Sequence, residues 1–514
     1  MRIFSSISRA APLFAGSSAF VLCAAGSVAH ADQPFLLPNS LVISSTTYDR
    51  SQGAVASLAA GGTQLPNTAT ATTAAVSDGN YLTVWNNETV DASFGVTSPI
   101  RLTVIEPHSG HVFHSVGVPT DQVVTSFSSK SELGLHVSSD AQGPHLVFVG
   151  YASPGIGALD VSNSDAVAGQ DPTNPVTFWF ANQFRSQYAF SRTIVAVDRS
   201  GQFSYTPTVN YGGNNGRSAL LGSNGLYYTV GNANNGNATQ FGSSNNGTNP
   251  DVTETTGLEV VKPIDARVAS AAIPAGNSAE VDPLIQYQFP NTKPDKPGKD
   301  DNYRGLTEFG GALYFTKGSG SNGMDTVYTV NALPTVANAA TQTISVVPGF
   351  PTDSARATGG DYTPFAVFFA NPTTMYVTDE GTGSALDLST HAGLEKWSLV
   401  NGSWQLDYVL TNGLIGAVDG NLVGPDGQYP AVTTIGLRNL TGVVNDDGTV
   451  TLWATTSTSS ASGDNGADPN KVVEITDQLA ATTLTTGGVA KEAFRTVAGP
   501  TYGTAYRGVA YVGQ

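Results

Sequence analysis

Hydrophobic and polar positions alternate in one recurring pattern down the chain. It reads "LVISS" from Leu41, "LTVWN" from Leu82, "LVFVG" from Leu146, "LYYTV" from Leu226, "LYFTK" from Leu313, "MYVTD" from Met375 and "LWATT" from Leu452. A two-residue alternation sends successive side chains to opposite faces of a strand, here two faces with different occupants. Each copy is followed, after a loop, by a second strand: "GAVASL", "IRLTV", "TIVAV", "GLEVV", "TVYTV", "GLEKWSL" and "KVVEIT". Most are preceded by a further strand, as in "ELGLHV", "RSALLG", "RGLTEF", "PFAVFF" and "RNLTGVV". Many units close with a fourth, such as "HVFHSVGV", "TISVVPGF", "WQLDYVL" and "FRTVAG".

Four strands per unit and seven units predict an all-β chain folded as a seven-bladed β-propeller. The ends are complementary. The chain finishes on "YRGVAYVGQ", an inner-type strand with no successor, and its repeat begins on "SLVISS", a second-type strand with no clear predecessor. Pairing the two completes the N-terminal blade with the C-terminal strand and closes the ring without an exposed sheet edge. No amphipathic helical stretch of convincing length follows residue 31. Composition agrees: 57 glycines and only 12% charged residues suit short strands and many turns.

Residues 1–31 read as an export signal rather than as structure. Arg2 and Arg9 supply a positive start, "APLFAGSSAFVLCAAGSVA" is apolar or small, and Ala29-His30-Ala31 is an A-x-A cleavage site. The apolar run is too short for a membrane span, and Leu22 before Cys23 argues against lipid attachment. The mature protein is expected to begin near Asp32 and to form one domain over 32–514. Cys23 is the only cysteine, so the mature chain has no disulfide, thiolate nucleophile or cysteine-ligated metal. Loss of Arg2 and Arg9 leaves 21 basic against 40 acidic residues, a net charge of −19. That excludes nucleic acid and anionic membranes as natural partners and suits a soluble periplasmic or extracellular protein, expected to be a monomer.

Gly318, Gly320 and Gly323 spell G-x-G-x-x-G. A dinucleotide site needs a helix after these glycines. Here "MDTVYTV" follows, so the glycines are expected in a loop between two strands. No G-x-S-x-G elbow and no phosphate-binding lysine loop occurs.

Loops joining second to third strands share a face with the entries to the inner strands. This face, the top, carries the long loops and is the expected binding face. A second repeat marks the entries: "NNGRSAL", "DNYRGLT", "GLRNLTG" and "AYRGVAY" put Arg217, Arg304, Arg438 and Arg507 in register. Another entry has Pro364 there, after Asp361 and Tyr362, and another offers Lys130 and Glu132 nearby. Two readings stand for the arginines. They bind an anionic ligand through bidentate guanidinium contacts, or they pair with acids such as Asp301, Glu308, Asp379 or Glu380 and tie the blades together. Tyr303, Tyr362 and Tyr506 lie at the same entries and are candidates to stack on a sugar ring. Asp379, Glu380 and Lys317 follow the shared strand motif and are candidate proton carriers, with surface charge pairing as the alternative.

Five of the six mature histidines fall between residues 108 and 145. His108, His111 and His145 share the opposite face, but no carboxylate is clearly placed with them and no metal site is assigned. No cofactor is assigned with confidence. A structural calcium is considered at Asp464, Asn465 and Asp468 or at Asp300 and Asp301, neither set matching the twelve-residue calcium loop.

Through its blade repeat, over most of the mature length, the chain resembles the broad class of secreted bacterial seven-bladed propellers. It carries no family-specific catalytic motif. The resemblance admits sugar-acid lyases, lactonases, glycosidases and purely interacting propellers. The expected function is therefore binding, and possible processing, of a small or oligomeric sugar-acid, organic-acid or phosphate-ester ligand at the arginine-lined face. The alternative is a non-catalytic propeller that contacts another secreted macromolecule.

Overall fold

A computed structural model describes residues 34–48, 64–68, 71–74, 81, 95–140, 143–153, 155–156, 161–163, 191–212, 214–233, 255–282, 301–318, 323–352, 362–385, 389–420, 422–462, 465–485 and 488–513. The chain divides into two units, Met1–Gln33 and Pro34–Gln514. The proposed export signal, "GAVASL", "LTVWN", Asp300, Gly320, Asp361 and Asp464 lie outside the described residues.

The described residues of the second unit form a β-propeller without α-helices. Blade 1 runs from its inner strand outward as Thr504–Val512, Ser40–Thr47, Ile100–Ile105 and Val112–Gly117. Blade 2 is built on His136–Asp140, Gly143–Ala152, Arg192–Asp198 and Phe203–Thr208. Blade 3 contains Gly216–Leu221, Tyr227–Gly231, Gly257–Val261 and Ser278–Glu280. Blade 4 contains Leu306–Phe309, Ala312–Lys317, Thr326–Val330 and Ser345–Val346. Blade 5 contains Pro364–Asn371, Thr374–Asp379, Gly393–Val400 and Ser403–Leu410. Blade 6 contains Val432–Val444, Thr449–Ser460, Val472–Gln478 and Arg495–Ala498.

The propeller and its closure agree with expectation: the C-terminal strand pairs antiparallel with the first, from Ser40 opposite Val512 to Thr47 opposite Thr504. The blade count differs. Six blades, not seven, are present among the described residues, because "IRLTV" is the third strand of blade 1, with Leu41 opposite Ile105. Between these two strands of blade 1, among the described residues, Gln64–Thr68 pairs with Ala71–Ala74, and Thr97–Ser98 joins the sheet of blade 2 through Val123–Ser126. The glycine loop joins the paired strands Ala312–Lys317 and Thr326–Val330, with Gly323 at φ 72°.

The alternation of the second strands now has a cause. Each buries both faces, one against the preceding blade and one against the next. Leu41 and Ile43 meet Trp453 of blade 6, while Val42 meets Leu146 and Phe148 of blade 2. Val147 and Val149 meet Tyr227 of blade 3; Tyr228 and Val230 meet Leu313 and Phe315 of blade 4. Val327 of blade 4 meets Met375 and Val377 of blade 5, and Tyr376 meets Leu452 of blade 6. Burial on this scale contributes roughly 1.5–3 kcal/mol per large side chain, so the ring is held without disulfides.

The fourth residue of the repeated strand is a buried hydroxyl in five blades: Ser44, Thr229, Thr316, Thr378 and Thr455. Opposite it the inner strand carries a β-bulge, seen as register breaks at Ile43/Ser45, Gly216/Ser218, Pro364/Ala366 and Leu437/Leu440. A bulge leaves backbone groups outside the ladder. The hydroxyl takes them up. It accepts from its own inner strand, as Ser44 does from Gly508 N (2.7 Å), Thr316 from Gly305 N (3.0 Å) and Thr378 from Ala366 N (3.0 Å). It donates to the next blade: Ser44 to Leu133 O (3.0 Å), Thr316 to Phe365 O (2.6 Å), Thr378 to Arg438 O (2.5 Å) and Thr455 to Arg507 O (3.2 Å). Thr229 instead bonds Ser218 O of its own blade at 2.9 Å. Inner strands come close here, and only glycine fits after two of the arginines. A Cβ on Gly305 would collide with Phe365 O, and one on Gly508 with Leu133 O.

Thr316→Val keeps the shape but strands Gly305 N and Phe365 O without a partner. We expect a loss of about 1–3 kcal/mol, read from urea unfolding midpoints, with Thr316→Ser retaining most of the stability. A valine variant as stable as the wild type would remove this role from the hydroxyl.

Candidate functional site

The bulges position the arginines. Arg217, Arg438 and Arg507 sit within the bulged steps of blades 3, 6 and 1. Arg304 occupies the matching place in blade 4, where its N–H bonds Thr316 O at 2.9 Å. All four are buried, at 6, 4, 2 and 5% exposure for Arg217, Arg438, Arg507 and Arg304. Blade 5 has Phe365 there, with the Arg304 guanidinium 5.4 Å above its ring centroid.

Glu380, at the end of the second strand of blade 5, is the hub. Its Oε1 lies 3.1 Å from Arg304 Nη1 and 3.4 Å from Lys130 Nζ; its Oε2 lies 3.2 Å from Arg438 Nε and 3.3 Å from Lys130 Nζ. Blades 2 and 5 stand opposite one another in a ring of six, so the Lys130–Glu380 contact spans the axis. Burial alone would raise the Glu380 carboxyl, but Arg304, Lys130 and Arg438 overcome it and hold it down at about 2. The Lys130 ammonium is drawn up by Glu380, yet partial burial and the charges of Arg304 and Arg438 prevail and bring it down to about 8. Its side chain remains 36% exposed.

Arg217 behaves differently. Its Nη1 donates to Asn302 Oδ1 and, at 3.0 Å, to Tyr303 O, while its buried Nε has no partner. Burial, then the charge of Arg304, lower it to about 9, against the opposing pull of Tyr151, Glu132 and Glu380. Arg507 Nη2 donates to Phe127 O and, at 2.8 Å, to Gly466 O. Arg304 Nη1 also reaches Ser131 Oγ at 2.8 Å.

The remaining predicted residues lie beside this hub rather than converging on it. Asp379 accepts from Thr363 N (2.5 Å), Thr363 Oγ1 (2.7 Å) and Gly381 N (2.8 Å), which ties it to the entry of its own blade. Burial and neighbouring Glu395 push it up to about 7. Lys317 is wholly buried and pairs with Asp325 at 2.8 Å. Asp379 and Lys317 therefore do not face one substrate position as an acid–base pair. Tyr303 is buried against Phe315 and Tyr328, with centroids 4.6 and 5.3 Å away. Tyr362 is buried with its hydroxyl 3.3 Å from Glu395 Oε2. Neither ring is presented for stacking on a sugar. Tyr506 donates to Gly499 O at 3.0 Å.

Glu132 turns inward, taking hydrogen bonds from Thr125 Oγ1 (2.5 Å), Ser126 N (3.1 Å) and Tyr151. Asn215, Asn302 and Asp325 add to the mouth through Ser129, Arg217 and Lys317; Asn215 and Asn302 lie inside the arginine entry motifs, where the sequence marks them. Asp468 Oδ1 accepts from Tyr429 (2.9 Å), Ser460 (2.6 Å) and Ser462 (3.0 Å). The histidines diverge: His108 pairs with Glu474 at 3.1 Å, His114 bonds Phe35 O at 2.9 Å and His136 bonds Ser218 Oγ at 2.8 Å. Among the described residues no three His, Asp or Glu side chains are grouped to hold a metal ion, and no helix is long and apolar enough to cross a membrane.

No protein-family model matches the chain, and no curated protein matches its sequence. Solved structures resemble it distantly. A functionally unknown protein from Desulfotomaculum acetoxidans DSM 771 shares 11% identity over 79% of this chain and 96% of its own, with a TM-score of 0.31. A GH43_1 enzyme from Xanthomonas citri, complexed with xylotriose, shares 10% over 73% of this chain and 88% of its own, also at 0.31. A quinoprotein alcohol dehydrogenase-like protein from Bacteroides thetaiotaomicron shares 6% over 81% and 85%, at 0.29. Likeness at this level transfers no residue role; the propeller assignment rests on the sheets and their interfaces.

The buried carboxyls set a pH dependence. Asp379 and Asp301 are each raised by burial from 3.8 to about 7, and Glu280, by burial and then Asp301, from 4.5 to about 9. Between the ordinary and raised values the folded state holds protons that the unfolded state has lost, so stability falls as pH climbs from about 4 through 7 to 9. Glu380 has the opposite sign: its contribution is complete above 4.5 and is lost as pH falls toward about 2. The melting temperature should peak near pH 4.5–5 in a calorimetric series from pH 2.5 to 9. A maximum at pH 8 would contradict these environments.

Proposed function

We propose that the mouth of the propeller binds a small anionic ligand, a sugar acid, organic acid or phosphate ester, on Arg217 and Lys130. The observation that carries this is the buried, unpartnered Nε of Arg217. Lys130, Arg304 and Arg438 all contact the single carboxylate of Glu380, and Arg217 adds another buried cation whose Nε is unpartnered. A buried donor on a charged group left without a partner is costly, and an anion there removes that cost. Glutamine or serine ligands would leave the excess charge in place; a carboxylate or phosphate neutralises it with a directional hydrogen bond.

The pairing of Arg304 and Arg438 with Glu380 favours the other reading for those two residues. They tie blades 4, 5 and 6 together, and that by itself is compatible with a propeller that only contacts another macromolecule. The ligand reading thus rests on Arg217 and on the exposed part of Lys130.

Calorimetric titration with galacturonate, citrate and phosphate at low ionic strength tests it. At least one should bind the wild type, and Arg217→Met should weaken that ligand about tenfold or more, the equivalent of a charged hydrogen bond of roughly 1.5–3 kcal/mol. If none of the three binds, or if the variant binds as the wild type does, the mouth is a structural lock only.

A further inference from the structure

We propose that Lys130 is a nucleophilic amine that captures the carbonyl carbon of a 2-oxo acid as an imine, while the acid's carboxylate sits on Arg217. This rests on the anion reading of the same mouth and names the ligand class within it.

The geometry comes first. Lys130 lies in the turn before blade 2, between Ser129 and Ser131, and both flanking serines are held by other blades. Asn215 Nδ2 of blade 3's entry donates to Ser129 Oγ at 2.6 Å, and Arg304 Nη1 donates to Ser131 Oγ at 2.8 Å. Gly134 N bonds Arg217 O at 3.1 Å, which fixes the start of blade 2 beside Arg217. The lysine is thus anchored at its backbone, and its Nζ stands among three guanidinium-bearing entries with 36% of the side chain open. Among the cations of the hub it is the exposed one, since Arg304 and Arg438 are 4 and 5% open.

An amine reacts with a carbonyl only when it is unprotonated, and neighbouring cations together with desolvation favour that form. Here each oxygen of Glu380 is shared between Lys130 and one arginine. The neighbouring cations of the hub are guanidiniums, and Lys130 carries its amine. Lys130 is the member of the cluster that can shed a proton, and the depressed basicity described above has that origin.

The step balances without a further reagent. The neutral Nζ forms a bond to the carbonyl carbon and gives up its protons through solvent. The carbonyl oxygen leaves as water and a C=N bond replaces C=O. No electrons are gained or lost. Lys130 contacts Glu380, and Arg217 lies within the field of the same carboxylate; an unpartnered guanidinium nitrogen in the same mouth as the amine matches a carboxylate next to the carbonyl, which is why a 2-oxo acid is named and not a simple ketone or aldehyde.

Full-length protein, incubated with pyruvate and sodium cyanoborohydride and then mapped by peptide mass spectrometry, reads the reduced adduct directly. The expected result is labelling of Lys130 at least tenfold above that of the exposed Lys262 and Lys491. Labelling should be absent in Lys130→Arg, which keeps a cation for Glu380, and reduced in Arg217→Met. Calorimetry with lactate, which has the carboxylate but no carbonyl, is run beside it. Absence of an adduct at Lys130, or equal labelling of all three lysines, overturns the inference. If lactate or one of the three anions above still binds, the anion reading survives that failure; if none does, both fall.

Discussion

A hydroxyl-to-backbone contact repeated around the axis is the interaction on which this structure depends. Six inner strands converge there among the described residues, and bulges in four of them expose N–H and C=O groups that neither the sheet nor water can satisfy. Buried backbone groups must be paired. Ser44, Thr316, Thr378 and Thr455 each take up one or more of them and bind the next blade in the same contact. Hydrophobic interfaces supply most of the cohesion, but they slide easily. At four of the junctions the hydroxyls fix how one blade meets the next.

The site is a consequence of those bulges. A regular strand would turn its side chains toward the neighbouring blades in alternation. The extra residue at such a bulge has nowhere to go but the axis; in blades 1, 3 and 6 it is arginine, and Arg304 takes the matching place in blade 4. Bringing four guanidiniums together without acids would be prohibitive. Glu380 relieves two of them and Lys130, and backbone carbonyls serve Arg507. On the proposed reading, the mouth attracts anions inside a protein whose net charge is strongly negative. An anion approaching such a molecule is repelled at long range and attracted only near the mouth, which favours ligands small enough to enter it.

Blade 5 shows how one substitution redistributes these roles. Phe365 stands at its bulge instead of an arginine, and Glu380 comes from the end of the adjoining strand to the axis. A fifth guanidinium would crowd the four already there. The aromatic ring accepts Arg304 over its face and leaves the space that Glu380 fills.

Much of the architecture was legible in the chain. The alternation of "LYFTK" and its copies marks strands with two buried faces, because that requirement is local and recurs in every blade. The unmatched ends foretold the pairing of Ser40–Thr47 with Thr504–Val512. The register of Arg217, Arg304, Arg438 and Arg507 was also visible, since a bulge recurs at one place in a repeat. The number of blades was not. Nothing local to "IRLTV" says that its partner is Leu41 across an intervening segment and not the nearer "LTVWN"; that choice belongs to the closing of the ring. The charge partners were legible only in part: Glu380 stood among four acids named for the arginines, and nothing local singled it out or brought Lys130 to it. Glu380 meets Lys130 from the opposite blade, 250 residues away, whereas Asp379 beside it turns back on Thr363. Two consecutive acids on a strand point to opposite faces, and only the packed ring decides which of those faces is the axis.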